Sequence, residues 1–359
     1  MRYRMLAEHM ATDGPVTILT WHDRPWPAWQ WTERGILVVA APAIARWDRD
    51  RPRAVETFNF VVALTTGVLG ALLLARRWRS AAAGGLHPEG TVAGVAARLL
   101  GRPFVVDTWY PGPAGNVARL QRERIRPLVF WVLKGATAFV AGTREIAAEL
   151  RAAGFPSARI ETVRHGVDLG RFTPVPPSAR PAARARLGLE VDVPVVAYWG
   201  RFDLRSKRLD LLRDAWRAAA VTGWRLVLAG DGPDSERVAR FAAEVGAAVL
   251  PWLDDPSWLG AAADVFVLPT DFEETGLAMV EGVAMGLPGI VSATSGYLLE
   301  PPTGVLLVPN DVDDWARALR QLTSDDAARR RLGEAGRAWA ESTHDFRHSV
   351  ERMSALLRS

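Results

Sequence analysis

An α/β protein with two doubly wound parallel-sheet domains is the fold class that three observations predict. At 359 residues the chain is longer than one hydrophobic core usually holds. Short apolar runs alternate with runs at helical spacing, which is the rhythm of βαβ units. A proline-rich stretch, Thr173–Pro181, suits a stiff exposed linker between two halves. The expected organisation is a first domain over 1–172, a linker at 173–182, a second domain over 183–340 and a terminal helical segment at 341–359.

The elements follow in order. Arg2–Met10 places Met5, Leu6 and Met10 on one side of a helix, and Asp13-Gly14-Pro15 turns it into the strand Val16–Thr20. Ile36–Ala40, Pro103–Val106, Ala138–Ala141 and Ile160–Val163 are further strands of the first half. Phe58–Ala75 carries no charge and just reaches spanning length, but Asn59, Thr65, Thr66, Gly67 and Gly70 dilute it and no second span exists. It reads as a helix that does not cross a membrane. In the second half, strands are expected at Val193–Trp199, Arg225–Ala229, Val265–Leu268 and Gly289–Val291. Helices are expected at Leu209–Ala220, Ser235–Val245, Leu277–Met285, Asp314–Leu322 and Asp345–Leu357.

The stretch Asp264–Ser292 is the most informative. It sets Glu273 and Glu281 across a strand–loop–helix junction with Gly276 at the helix start. Backbone N–H groups around Thr275, Gly276 and Leu277 suit a diphosphate, and a glycine lets it approach closely. Glu281, one turn into the helix, suits a ribose diol, and Glu273 suits hydroxyls of a sugar beyond the diphosphate. Acids near a helix start also simply favour its dipole, so both readings stand for the pair alone. A second cluster follows the strand ending at Trp199. Gly200 is succeeded by Arg201 and Lys207, a guanidinium fork and a point charge suited to a departing diphosphate. Only 2 of the 44 basic residues are lysines, so Lys207 departs from the chain's arginine habit. A solvated helix face is the competing reading.

Together these residues resemble the retaining glycosyltransferases of the GT-B fold, the large glycogen-synthase-like group 1 family. Arg164-His165-Gly166-Val167-Asp168 is similar to the segment closing the family's first domain. Leu228-Ala229-Gly230-Asp231-Gly232-Pro233 is similar to a strand-ending turn, and Ala262–Thr270 and Met285-Gly286-Leu287-Pro288 to the approach and exit of the glutamate motif. The resemblance implies two Rossmann-like domains facing a cleft, with the last helix returning to the first domain. It implies a buried helix at Phe58–Ala75. It implies Glu273 as donor-sugar contact and catalytic carboxylate, Glu281 as ribose contact, Arg201 and Lys207 as diphosphate clamp, and Gly200, Thr275, Gly276 and Leu277 around them. The nucleoside-diphosphate sugar is then a substrate, with no metal and no further cofactor.

The chain departs from the family in three places. Asp107-Thr108-Trp109-Tyr110 follows a strand where a histidine often touches the transferred sugar. The loop Ala293–Glu300 is shorter than the usual glycine-pair loop. The family's first strand and glycine-rich loop have no counterpart before Arg2–Met10. The first domain is therefore expected to begin with a helix and to lack its central first strand, because translation starts upstream, because the chain is a fragment, or because the gap has closed by direct pairing.

Charge is uneven. Met1–Phe172 carries net +9 and Thr173–Ser359 net −5. The half that binds acceptor in this fold thus suits a glycan or lipid-linked acceptor that is anionic, or an anionic membrane surface. Arg119, Arg122, Arg124 and Arg126 with Leu120 and Ile125 are candidates for one basic, partly apolar surface. Nucleic acid is not expected, since acids intersperse the basic residues and no binding motif accompanies them. Trp26, Trp29 and Trp31 suit sugar stacking, a lipid interface or packing. On the acceptor side, His87 and His165 are candidates beside the plainer reading of loop histidines, and Trp109 is either a sugar platform or a packing residue. Asp48-Arg49-Asp50 and Asp311-Val312-Asp313 have metal-pair spacing but read as solvated acids. No cysteine means no disulfide and no thiolate metal site. Without a signal peptide at Met1–Met10, a cytoplasmic protein, peripherally bound to membrane at most, is expected. The expected activity is transfer of a sugar with retention; an inactive sugar-nucleotide-binding homologue and a nucleotide-sugar epimerase are the alternatives.

Overall fold

The structure, a computed structural model, describes residues 2–11, 16–22, 28–32, 36–42, 53–109, 111–112, 115–273, 276–294, 297 and 300–358. It divides into one unit of Met1–Val163 with Val350–Ser359 and a second of Arg164–Ser349.

Among the described residues, seven strands of the first unit form two sheets. β1 (Thr17–His22), β2 (Ala28–Trp31) and β3 (Leu37–Pro42) are ordered β1-β3-β2, with β1 parallel and β2 antiparallel to β3. β4 (Ala81–Gly84), β5 (Phe104–Thr108), β6 (Ala138–Ala141) and β7 (Ile160–Thr162) form a parallel sheet in chain order. Helix α1 (Arg2–Met10) precedes them all, as expected. Among the described residues no strand pairs with the second edge of β1 or with the second edge of β4, and the two do not pair with each other. Among the described residues the expected break in the first sheet is present, and no direct pairing closes it. Two strands went unread in the sequence: β2, hidden among tryptophans and prolines, and β4, whose alanines and glycine carry little β propensity.

The expected buried helix is α2, Arg53–Leu73, and it is not buried all round. Ala63 and Gly67 pack inward, whereas Val61, Leu69 and Leu73 are 51%, 55% and 78% exposed. These three fall at multiples of one helical turn, with exposed Thr65 on the same line, so a largely apolar stripe faces solvent. Among the described residues no helix is long and apolar enough to cross a membrane. Helices α3 (Glu89–Leu100), α4 (Asn116–Arg122), α5 (Arg126–Leu133) and α6 (Arg144–Ala152) complete this unit, around a core containing Leu86, Phe104, Val106, Leu133, Phe139 and Leu150.

Among the described residues, the second unit holds one six-stranded parallel sheet. β8 (Val195–Trp199), β9 (Arg225–Ala229), β10 (Ala248–Leu250), β11 (Val265–Leu268), β12 (Gly289–Ser292) and β13 (Val305–Val308) lie in the order β10-β9-β8-β11-β12-β13. Counted along this unit that is 3-2-1-4-5-6, the doubly wound order whose crevice opens where the winding reverses, between β8 and β11. Every residue of β8, β11 and β12 is buried, which explains why these strands read as continuous apolar runs rather than alternating ones. Asp264 ties the pair at its entrance: its carboxylate accepts from Arg180 (3.0 Å), Arg184 (2.6 Å) and the Val195 N–H (2.8 Å).

That anchor changes the reading of the linker. From Arg180 the chain is helix α7 (Arg180–Arg186), with Ala183 and Arg184 buried against this unit, because Arg184 pairs with Asp264 and donates to the Ala262 carbonyl at 3.0 Å. The remaining helices are α8 (Leu209–Ala219), α9 (Ser235–Glu244), α10 (Ser257–Ala262), α11 (Leu277–Ala284), α12 (Val312–Ser324), α13 (Asp326–Thr343) and α14 (Phe346–Arg358). Asp311 is a helix cap rather than a loop acid, accepting from the Asp313 and Asp314 N–H groups at 2.9 and 3.1 Å. Asp48-Arg49-Asp50 lies outside the described residues. The division at Val350 assigns the end of α14 to the first unit, where Arg352 donates to Glu161 at 2.7 Å.

Candidate functional site

Two loops leave the C-terminal ends of β8 and β11, the point where the sheet reverses. The first carries Gly200, Arg201 and Lys207; the second carries Glu273 and ends at Gly276, where α11 begins. Asp203 shapes the first loop: its carbonyl accepts from Ser206 (3.1 Å) and Lys207 (2.7 Å), and its carboxylate from the Arg205 N–H at 3.2 Å. The two loops are bound together. The Thr270 hydroxyl donates to the Ser206 carbonyl at 2.8 Å, the Asp271 N–H to the same carbonyl at 3.0 Å, and Arg208 to Asp271 at 3.0 Å. Asn310 and Ser292 brace Thr270 from behind, at 2.9 and 2.8 Å.

This scaffold brings Lys207 and Glu273 into a direct ion pair between their Nζ and Oε2 atoms. Their side chains are only 19% and 17% exposed. Neither strand nor helix places them; two loops tied at Thr270 and Ser206 do.

Glu281 is buried (8% exposed) on α11, and the indole N–H of Trp199 donates to its Oε2 at 2.8 Å. Burial pushes its carboxyl up to about 7; the Trp199 bond and the nearby Arg171 guanidinium act the other way. Arg171 is itself held by the Asp255 carboxylate (3.0 Å) and the Asp254 carbonyl (2.9 Å). One oxygen of the proposed diol acceptor therefore already holds an indole. Trp199 escaped the sequence reading because it closes an apolar strand and looks like core. It is core, packed on Phe266 with ring centroids 4.3 Å apart, with its one polar atom turned to Glu281.

Gly276 adopts φ +58°, the left-handed region that favours glycine, and intrahelical bonding begins at Val280 N–H to Gly276 O, 3.0 Å. Leu277 is the first helical residue and has no carbonyl one turn earlier in the helix. Thr275 lies outside the described residues. The space left by the missing Gly276 side chain is not open: a Cβ there would fall 2.0 Å from the Tyr297 hydroxyl oxygen and 3.2 Å from Glu273 Cγ. The short loop after Ser292 thus delivers a side chain to the helix start, although no donor-side contact was read from it. Tyr297 is helical, in a stretch whose sequence gives no periodic signal.

Other expected residues fall elsewhere. Gly200 packs so tightly that a Cβ on Gly230 would lie 2.0 Å from its carbonyl, and its N–H donates to Ala229 O at 3.0 Å. It shapes the turn and offers no amide to a ligand. Arg201 projects outward, its side chain 67% exposed and its Nε 3.9 Å from Asp203. Of the two residues read as a clamp, Lys207 is the one turned to the second loop, in the pair with Glu273. Arg201→Ala is accordingly expected to change turnover several-fold at most, read from kcat, since an exposed charge acts through high-dielectric solvent. A loss as large as that for a Lys207 variant would reverse this ranking.

His165 is buried (6% exposed) in the second unit. His87 and Trp109 belong to the first. His87 lies between β4 and α3 with Nδ1 3.0 Å from Thr91 Oγ1, and burial lowers its imidazole to about 4, so it is neutral at physiological pH. Trp109 follows β5, half-buried, and its backbone N–H donates to Asn116 Oδ1 at 3.3 Å. Of the tryptophan cluster, Trp26 and the Trp29 side chain lie outside the described residues; Trp31 is 56% exposed on β2 with the Arg77 guanidinium 4.8 Å over its ring.

Comparison with known proteins agrees with the order of these features. Residues 1–166 match the family described as Glycosyl transferase 4-like domain, and residues 193–325 match Glycosyl transferases group 1. The chain belongs to the group 1 glycosyltransferases. This GT-B family chain is 32% identical over 215 residues to a GDP-mannose-dependent monoacylated alpha-(1-6)-phosphatidylinositol monomannoside mannosyltransferase of Corynebacterium glutamicum, covering 55% of this chain and 56% of that one. It is 36% identical over 224 residues to a D-inositol 3-phosphate glycosyltransferase of Xylanimonas cellulosilytica, covering 58% and 53%. The chain thus spans about half the length of these curated relatives. Its fold is similar to that of sucrose-phosphate synthase from Thermosynechococcus elongatus, with a TM-score of 0.78 and 24% identity over 99% of this chain and 92% of that one.

Proposed function

We propose that the protein is a glycosyltransferase that binds a nucleoside-diphosphate sugar at the second unit and transfers the sugar with retained configuration. The observation that carries this reading is the Lys207–Glu273 ion pair at the reversal point of the sheet, beside the α11 start and Glu281. Glu281 would accept from the ribose hydroxyls. Lys207 and the first amides of α11 would stabilise the leaving diphosphate, so preorganised charge rather than a covalent nucleophile would lower the barrier. Glu273 would orient the donor sugar, and the leaving phosphate would take the acceptor's proton on the same face. On this reading the chemistry needs no metal.

The acceptor we propose is an anionic phospho-polyol or lipid-linked sugar. The first half carries net +9, and both relatives above are named for acceptors that carry an inositol phosphate. The basic apolar surface differs from the one expected: Leu120 is buried (3%) and Ile125 packs against the core. Leu128 and Trp131, 60% and 59% exposed, are the apolar residues that lie near exposed Arg122, Arg124 and Arg126 in the chain. We place the protein at the cytoplasmic face of an anionic membrane through this surface. Phosphatidylglycerol vesicles should therefore sediment more protein at low salt than phosphatidylcholine vesicles, and the excess should fade at physiological ionic strength, where screening acts over about 8 Å. Equal sedimentation on both lipids would remove the membrane from this reading.

A thermal-shift panel of nucleoside diphosphates and their sugars tests the donor assignment, since a ligand bound only by the folded state raises Tm. The active donor should then release nucleoside diphosphate only when acceptor is present. Release without acceptor would indicate an epimerase or hydrolase, and binding without any turnover an inactive homologue.

A further inference from the structure

We propose that Tyr297 is a phosphate-binding residue, its phenol donating a hydrogen bond to an oxygen of the donor diphosphate seated at the start of α11. The inference rests on the donor-site reading above and adds a residue to it. Tyr297 is 3% exposed, and among the described residues its hydroxyl has no hydrogen-bond partner. A buried phenol in that state lacks an acceptor it would have had in water.

The hydroxyl occupies the space a Gly276 side chain would fill, so it lies against the first turn of α11. Among the described residues the groups that meet there, apart from the Glu273 carboxylate, are donors. The helix is eight residues long, has no side-chain cap and no acid in its first turn, and its bonding starts only at Val280. The N–H groups of Leu277 and Ala278 therefore point out of the helix end without helical partners. Lys207 is joined to Glu273, whose Cγ flanks the same glycine. Among the described residues Glu273 is the acceptor at hand, and its carboxylate pairs with Lys207 while the phenol has no partner. A hydroxyl, successive amides and an ammonium call for a ligand with several acceptor oxygens and no donors, which a diphosphate is.

Calorimetric titration of wild-type and Tyr297→Phe protein with UDP, GDP, the parent nucleosides and inorganic pyrophosphate tests this. Tyr297→Phe is expected to weaken the diphosphates and pyrophosphate about tenfold and to leave nucleoside binding unchanged. The ligand-free Tm should not fall, because the hydroxyl removed has no partner in that state; this also reports that the variant folds. Unaltered diphosphate affinity in a folded Tyr297→Phe would overturn the proposal while leaving the donor site standing. If wild-type protein binds neither nucleoside diphosphate nor pyrophosphate, the donor-site reading itself falls, and the role of Tyr297 with it. Equal weakening of nucleosides and diphosphates would show a packing role and also overturn it.

Discussion

Lys207→Ala is expected to lower turnover roughly 10²–10³-fold, the loss that follows removal of one preorganised charge from a developing oxyanion. The size follows from place rather than charge alone. Lys207 is largely buried, and its loop is bound to the Glu273 loop through Thr270 and Ser206, so its ammonium acts where water is scarce. Its resting partner is Glu273, which the donor sugar would take over as the diphosphate draws the ammonium away. The substitution should therefore reduce kcat more than donor affinity, because the interaction grows as the diphosphate leaves. Steady-state kinetics with the donor found by thermal shift decide it. A Lys207→Ala enzyme with unchanged kcat would remove the ion pair from the mechanism.

Glu281→Ala is expected to weaken nucleoside-diphosphate binding by about 1–3 kcal/mol, since the ribose hydroxyls and the Trp199 indole would both lose a buried acceptor. Binding should also depend on pH. Burial raises the folded-state carboxyl to about 7, so the anion that best accepts two hydroxyls forms only as pH passes through that value. Nucleotide affinity should rise between pH 6 and 8 in the parent protein, and this rise should be absent in Glu281→Gln. Stability runs the opposite way. The folded protein holds this proton more tightly than the unfolded chain, whose carboxyl titrates near 4.5. The contribution is complete below that value and is lost as pH rises to about 7, by about 3 kcal/mol in all. Ligand-free Tm measured from pH 5 to 8 should fall less in Glu281→Gln than in the parent. Nucleotide affinity unchanged in a folded Glu281→Ala would end the ribose assignment.

The second unit was legible because its strands are buried on both faces. Continuous apolar runs such as Val265–Leu268 and Arg225–Ala229 have the bounds read in sequence, and Gly276 marks the start of α11. β10 and β13 were missed for the opposite reason: they are edge strands, only partly buried, and their patterns are weak. In the first unit β4 escaped because Ala81–Gly84 earns its place by pairing with β5, a long-range contact that local propensity does not encode.

By itself, the sequence determined the fold class and singled out Glu273, Glu281 and Lys207 as candidates, since these depend on periodicity, chain order and residue chemistry within short windows. Only the tertiary structure decided how they are partnered. Lys207 meets Glu273 across 66 positions and Trp199 reaches Glu281 across 82, while Arg201, equally basic and nearer the strand, faces solvent. Tyr297 is the clearest case, because nothing local distinguishes a tyrosine whose hydroxyl fills the space beside a distant glycine. Burial, and with it the raised carboxyl of Glu281 and the strength of the ion pair, arises only when separate elements exclude water together.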